Sequence, residues 1–161
     1  MAEIVIDTNE AIKIVRNYTL ASVLVSAIPL PIVDLVALSS LQLKMLHRLA
    51  TLYQIQFSEQ LGKSLIASLV GGGVPLSLSS NLSKLAKSLA KSVPGVGTAA
   101  GMIGVAAFGG ASTYAIGKVF IRHFESGGTF LDFDPQHAKD YYAKQLKEGA
   151  AEVKTVVEYK P

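Results

Sequence analysis

The chain has 161 residues, a length that suits one domain, and carries a formal charge of only +3. Hydrophobic residues make up 50% of it and charged residues 17%, against about 25% charged in soluble domains. This composition excludes a disordered chain, and the small basic excess without any Trp argues against nucleic-acid binding. Because there is no Cys and the three His are scattered, we expect no disulfide, no metal and no cofactor.

The charges are unevenly distributed along the chain. Between residues 35 and 124, Glu59 is the one acid, whereas the tail from Glu125 onwards is acidic. The same stretch contains eight bases, which are Lys44, Arg48, Lys63, Lys84, Lys87, Lys91, Lys118 and Arg122. Bases without acids are typical of a surface that faces anionic phospholipid, where each contributes about 1 kcal/mol. A soluble protein with an uneven surface is the alternative.

Two prolines divide the first apolar region. A helix is predicted from a cap at Asp7 or Thr8 to about residue 28, and a second from Pro31 to residue 53 or 57. The uncharged residues 17–28 would span about 18 Å, short of a hydrocarbon core about 30 Å thick. We therefore predict a re-entrant hairpin, with Pro29, Pro31 and Asp34 at its turn. The alternative role of Asp34 is an ordinary helix cap in a soluble bundle.

Two further uncharged segments follow, at residues 64–83 and 92–117. The first is interrupted at residues 71–75, and in the second the pair at 109–110 is the predicted weak point of the helix. All three segments have bases on both sides, which favours hairpins over straight spans. Small residues spaced for close helix packing, within one chain or between chains, are Gly97, Gly101, Gly104 and Gly110.

A short basic amphipathic helix is predicted at residues 81–91. Lys84, Lys87 and Lys91 form one stripe, beside a second stripe of Leu and Ala. This pattern is typical of helices that lie in a lipid interface, although an ordinary surface helix is the alternative. Together with Lys44 and Arg48, these three lysines are our candidate contacts for lipid headgroups.

The last helix is predicted at residues 134–158, after a turn at residues 126–128. Asp134 and Pro135 suit its cap and first position. One face of it is apolar and is predicted to pack on the domain or on a partner. That face comprises Ala138, Tyr141, Tyr142, Leu146, Ala150, Val153 and Val157.

Catalytic motifs are missing from the sequence. Residues 112–119 resemble a phosphate-binding loop, but Ser112 replaces its first glycine and Val119 its magnesium-binding hydroxyl. With Glu59 as the one acid of the middle region, no pair of catalytic carboxylates can form there. We therefore expect a protein that is not an enzyme.

Several motifs in a fixed order resemble a known family. They are residues 28–34 (IPLPIVD), Leu41-Gln42 with Met45, Leu49 and Tyr53, residues 93–97 (VPGVG), 113–120 (TYAIGKVF) and 123–128 (HFESGG). Over residues 10–142 the chain resembles the YcjF-type bacterial membrane-associated domain of unknown function. The resemblance implies a helical domain at the bacterial inner membrane, on its cytoplasmic face. Members often accompany a GTPase of the Era or dynamin-like kind, and the resemblance supplies no catalytic residues.

We predict a single all-α domain over residues 1–161. It comprises a membrane-associated bundle of broken or re-entrant hairpins at residues 8–125 and the amphipathic C-terminal helix. The predicted function is a non-enzymatic scaffold that inserts into membrane, self-associates and binds or shapes lipid. The alternatives are an adaptor that recruits a separate GTPase, a channel-like subunit and a soluble helical bundle.

Overall fold

A computed structural model describes residues 6–26, 31–72 and 96–158 of the chain. These ranges contain five helices and no strand, which confirms the predicted all-α class for them. The helices are α1 (Thr8–Ser26), α2 (Pro31–Leu52), α3 (Glu59–Gly72), α4 (Val96–Glu125) and α5 (Pro135–Glu158).

Side-chain caps begin three of these helices. The Asp7 carboxylate accepts a hydrogen bond of 2.9 Å from the Asn9 N–H, and the Asp134 carboxylate accepts one of 2.9 Å from the Gln136 N–H. Ser58 Oγ accepts from the Leu61 N–H at 3.3 Å at the start of α3. Each cap satisfies an N–H group that has no partner within its helix.

Backbone turns of one type end α2 and α4. After α2, Gln54 adopts a φ of 57°, and the Ile55 N–H reaches the Ala50 carbonyl at 2.8 Å. After α4, Gly127 adopts a φ of 88°, and the Gly128 N–H reaches the His123 carbonyl at 3.0 Å. This Schellman pattern stops a helix by satisfying its last carbonyls, so α2 ends short of residue 57.

The helices alternate in direction along the bundle. Contacts between Thr8 and Glu125 and between Ser22 and Thr113 make α1 antiparallel to α4. Tyr53 also reaches Glu125, which makes α2 parallel to α4. The bundle therefore has two distinct ends, one of which holds the start of α1 and the finish of both α2 and α4. We call it the capped end.

The capped end encloses an aromatic core. The Phe120 ring stacks on Phe133 with centroids 4.6 Å apart, and on its other sides it meets Phe124 and Phe130 at 5.6 and 5.5 Å. Offset and tilted ring pairs at these separations stabilise a core beyond the area that they bury. The capped end is thus a conventional, tightly packed hydrophobic core.

Two predictions about helix detail were wrong. Helix α4 continues through Gly109 and Gly110, because Gly110 is buried where α1 and α5 press on α4 and packing outweighs the low helix propensity of glycine. In α5, Ala150 is exposed, while Gln145 and Gly149 are buried. The contact face is therefore shifted by one residue at that level.

Candidate functional site

The uncharged parts of the first four helices lie together at the second end of the bundle. Apart from Asp34, no charged residue occurs in the stretches of α1 to α4 nearest that end, at positions 17–26, 31–43, 64–72 and 96–117. Because consecutive helices run in opposite directions, these stretches all lie at the same end of the bundle. We call this region the uncharged end. Within the described ranges, α5 also carries charge there, through Glu148, Glu152, Lys154 and Glu158.

Large apolar side chains are exposed towards the uncharged end. Leu24 is 73% exposed, Phe108 39% and Leu20 37%. Single exposed apolar residues are normal, but Leu20 and Leu24 lie one turn apart on α1 and form an apolar patch with little affinity for water, while Phe108 lines the groove of α2, α3 and α4. The fourth exposed large apolar residue among those described, Leu131, lies in the loop after α4 at the capped end.

A buried polar layer joins four helices between the two ends. Thr113 Oγ1 lies 2.8 Å from Ser22 Oγ of α1 and accepts a hydrogen bond of 3.2 Å from Gln42 Nε2 of α2. Ser112 Oγ lies 3.4 Å from the Tyr142 hydroxyl of α5, where burial raises the tyrosine pKa. All five side chains are at most 3% exposed. Such hydrogen bonds fix the register of neighbouring helices.

Two openings lie beside this layer. A groove of about 430 Å³ separates α2, α3 and α4, with Leu38, Ile66, Val70 and Phe108 among its walls and Gln42 at its edge. A smaller cavity of about 110 Å³ lies between α1, α4 and α5. Its walls include Val15, Leu20, Val23 and Val153, and Arg16 and Lys118 also line it.

Glu125 ties three elements together at the capped end. Its Oε1 atom accepts hydrogen bonds of 2.9 Å from Thr8 of α1 and from Tyr53 at the end of α2. Burial, and then this hydrogen bond and the charge of Glu125, raise the Tyr53 pKa well above its usual range. The arrangement holds the ends of α1, α2 and α4 in register.

The loop between α4 and α5 is ordered around His123. His123 Nε2 lies 2.8 Å from the Thr129 carbonyl and 3.2 Å from Asp132 Oδ1, and its ring packs edge-on against Phe133. The Thr129 N–H bonds the same carboxylate, which lowers the Asp132 pKa. Within the described ranges, no three His, Asp or Glu side chains are grouped as metal ligands.

The candidate residues from the sequence are distributed over several places. Lys44 and Arg48 are exposed one turn apart on α2, and Pro31 and Asp34 lie in its first turn. Gly97, Gly101 and Gly104 lie in the first part of α4. Four candidates fall outside the described residues, namely Pro29, Lys84, Lys87 and Lys91. The headgroup, turn and packing roles of this set remain predictions.

Sequence reasoning missed the buried polar layer. Its signal was present, because Ser22, Gln42, Ser112 and Thr113 are isolated polar residues within apolar stretches. The sequence did not show which of these residues pair, because Ser22 and Thr113 are far apart in the chain. Polar residues within apolar stretches are therefore candidates for hydrogen bonds between helices.

Sequence comparison identifies the family to which the chain belongs. A family model described as a domain of unknown function, DUF697, matches residues 5–150. The chain belongs to this family. The resemblance seen in the motifs is thereby confirmed. This DUF697 chain is also 40% identical over 139 residues to magnetosome membrane protein 22 of Magnetospirillum gryphiswaldense.

That similarity covers 86% of this chain and 70% of the magnetosome protein. No solved structure gives a significant match to the DUF697 chain. In the part of the chain that the structure describes, no helix combines the length and the apolar character needed to cross a bilayer.

Proposed function

We propose that this DUF697 protein is a non-enzymatic membrane scaffold that inserts its uncharged end into one leaflet, self-associates and binds or shapes the membrane. The observation that carries the proposal is the arrangement of four uncharged helix stretches at one end of the bundle. The relative known as a magnetosome membrane protein supports membrane association.

The α1 stretch of the uncharged end has a length that suits one leaflet. Residues 17–26 of α1 span about 15 Å at a helical rise of about 1.5 Å per residue. This length is half of a hydrocarbon core about 30 Å thick. Leu24 lies near the tip of this stretch and is 73% exposed. Transfer of such a side chain from water into lipid contributes about 1.5–3 kcal/mol.

Exposed bases supply the second part of the proposed attraction. Lys44 and Arg48 lie on α2 on the capped-end side of its uncharged stretch. At that height they would meet anionic headgroups when the uncharged end is inserted. Wedging four helix ends into a single leaflet would expand that leaflet relative to the other, which favours curvature.

Flotation of the full chain with liposomes tests insertion. We expect the chain to float with phosphatidylglycerol-containing liposomes and to stay bound after a carbonate wash. Leu24→Lys should reduce the bound fraction at least tenfold, because a charge would have to enter the hydrocarbon. Leu131→Lys is the matched control, since Leu131 is 86% exposed at the capped end and should leave binding unchanged.

The outcomes separate the proposal from a water-soluble bundle. A chain that does not float, or a Leu24→Lys variant that floats like the wild type, would overturn insertion through the uncharged end. Cross-linking on the liposomes tests self-association in the same samples, and a purely monomeric bound chain would remove that part of the proposal.

A further inference from the structure

The cavity between α1, α4 and α5 has an unusual combination of linings. Its apolar walls are mainly aliphatic and come from Ile12, Val15, Leu20, Val23 and Val153, and Tyr114 lines it as well. Arg16 and Lys118 line it as well, and neither forms an ion pair with a carboxylate in the described structure. Two bases beside an aliphatic slot are suited to an amphiphile that carries a negative charge.

The aliphatic walls extend from the level of the bases towards the uncharged end. Val15 packs against Gly117, so the neighbouring Arg16 and Lys118 lie at one level of the bundle. Val23 and Val153 both pack against Gly110, two helical turns nearer the uncharged end. The separation along α1 between Arg16 and Val23 is about 10 Å. A ligand would place its charged group towards the capped end and its chain towards the uncharged end.

A buried hydroxyl without a partner lies between these two levels. Thr19 lines the cavity, is 6% exposed, and its Oγ1 atom makes no hydrogen bond. Buried hydroxyls are normally paired, so an unpaired one at a cavity indicates a place for a polar atom of a ligand. One turn from Arg16, the hydroxyl is placed to donate to an ester or carboxylate oxygen of a ligand.

The cavity lining also includes one acid. Glu152 lies close enough to Tyr114 for its charge, after burial, to raise the Tyr114 pKa, so Arg16, Lys118 and Glu152 together leave the lining with one net positive charge. At about 110 Å³ the cavity exceeds the roughly 10–15 Å³ that a water needs, yet is smaller than a cofactor pocket of about 300 Å³ or more. It has room for part of one acyl chain.

We propose that this cavity binds a single acyl chain of an anionic amphiphile, with Arg16 and Lys118 on its carboxylate or phosphate and Thr19 on an adjoining oxygen. The ligand is either a fatty acid or an anionic phospholipid, which share this chemistry. The inference goes beyond the scaffold proposal, because the cavity lies between helices and does not include Leu24.

Native mass spectrometry of the full chain in detergent micelles tests the cavity. The probes are palmitate and phosphatidylglycerol, with hexadecanol and phosphatidylcholine as partners that lack the net negative charge. We expect one adduct per chain, with palmitate if the ligand is a fatty acid or with phosphatidylglycerol if it is an anionic phospholipid. Arg16→Gln/Lys118→Gln should lower adduct occupancy at least tenfold.

Matched variants keep the test decisive. Lys13→Gln/Lys144→Gln removes the same charge from exposed positions outside the cavity and should retain the adduct. Ile12→Trp fills the cavity from a half-buried position outside the uncharged stretch of α1 and should remove the adduct while the chain still floats with liposomes. That combination would separate loss of the cavity from loss of membrane association.

Four results would overturn the inference. Three of them are a wild-type chain without an adduct at saturating probe, equal adducts with the partners that lack a net negative charge, and a double glutamine variant that keeps full occupancy. The fourth is a lipid-free dimer that Ile12→Trp converts to monomer, because the cavity would then be covered by a second copy of the chain.

Discussion

The hydroxyl oxygens of Ser22 and Thr113 lie 2.8 Å apart, although 91 positions separate the two residues in the chain. Gln42 donates to the same Thr113 oxygen. We expect Thr113→Val to lower the free energy of unfolding by about 1–3 kcal/mol, because it leaves the Gln42 amide and the Ser22 hydroxyl without this partner. Chemical denaturation of the full chain measures the change.

A second threonine provides the control for this measurement. The Thr51 hydroxyl donates to the His47 carbonyl within its own helix and is exposed, so Thr51→Val should change stability by no more than about 0.5 kcal/mol. Equal effects of the two substitutions would mean that the buried layer contributes no special stability.

Close approach of α1 and α4 depends on Gly117. A β-carbon at Gly117 would lie 2.5 Å from Val15 Cγ2, so Gly117→Ala should destabilise the chain by about 1–3 kcal/mol. In Val15→Ala/Gly117→Ala the shortened partner makes room for the new methyl group. The double variant should therefore be more stable than the sum of the two single changes predicts, by at least about 1 kcal/mol.

Strict additivity in this cycle would contradict the packing described between α1 and α4. Far-UV circular dichroism of each variant provides the check that the helices still form. Thermal unfolding then gives the four stabilities under one set of conditions.

The contact between Tyr53 and Glu125 should make stability depend on pH. The Tyr53 pKa is raised in the folded state by burial and by Glu125, whereas the unfolded chain releases the phenol proton near pH 10. The folded state then holds more protons, so the free energy of unfolding should fall as the pH rises through about 10. The melting temperature between about pH 9 and 11 measures this loss.

Tyr53→Phe should flatten that decline, because the titrating group is gone. Other buried tyrosines retain part of the slope, since the pKa of Tyr142 is also raised by burial. A variant whose melting temperature falls with pH as steeply as that of the wild type would show that Tyr53 does not carry the effect.

The predicted basic stripe should control binding to charged lipid. Lys84→Gln/Lys87→Gln/Lys91→Gln removes about 3 kcal/mol of attraction to anionic headgroups, or roughly a hundredfold in the partition coefficient. Liposome flotation measures it against phosphatidylglycerol content. The control is the equally charged set Lys139→Gln/Lys144→Gln/Lys147→Gln on α5, which should bind like the wild type.

Salt provides an independent check on this electrostatic contribution. Raising the ionic strength should reduce the difference between the wild type and the stripe variant, because exposed charges are screened. A loss of binding that is the same for both lysine sets would indicate a general charge effect rather than a contact by this segment.

Local signals predicted most of the helices, and tertiary contacts explain the differences. Pro31 and the Asp134-Pro135 pair marked helix starts because they act within one turn. The left-handed residue that ends α2 is Gln54, which carries no strong signal for that conformation, so the sequence did not separate an end near residue 53, where the helix stops, from one at residue 57. The continuity of α4 through Gly110 depends on contacts from α1 and α5.

The candidate site was predicted less completely for the same reason. The uncharged stretches are visible in the sequence, but their common position follows only from the alternating helix directions. The cavity at Thr19 brings together residues from three helices, and its unpaired hydroxyl has no counterpart in any local pattern. The spacing of residues along one helix does not predict which residues of a second helix will contact them.

An odd number of alternating helices in the described ranges gives the domain a vertical asymmetry. The start of α1 lies at the capped end, and the finish of α5 lies at the opposite one. Fluorophores attached next to Thr8 and next to Glu158 would therefore sit at different heights above a bilayer. Quenching of the two fluorophores by quenchers at known depths in the bilayer would then give the orientation of the whole bundle.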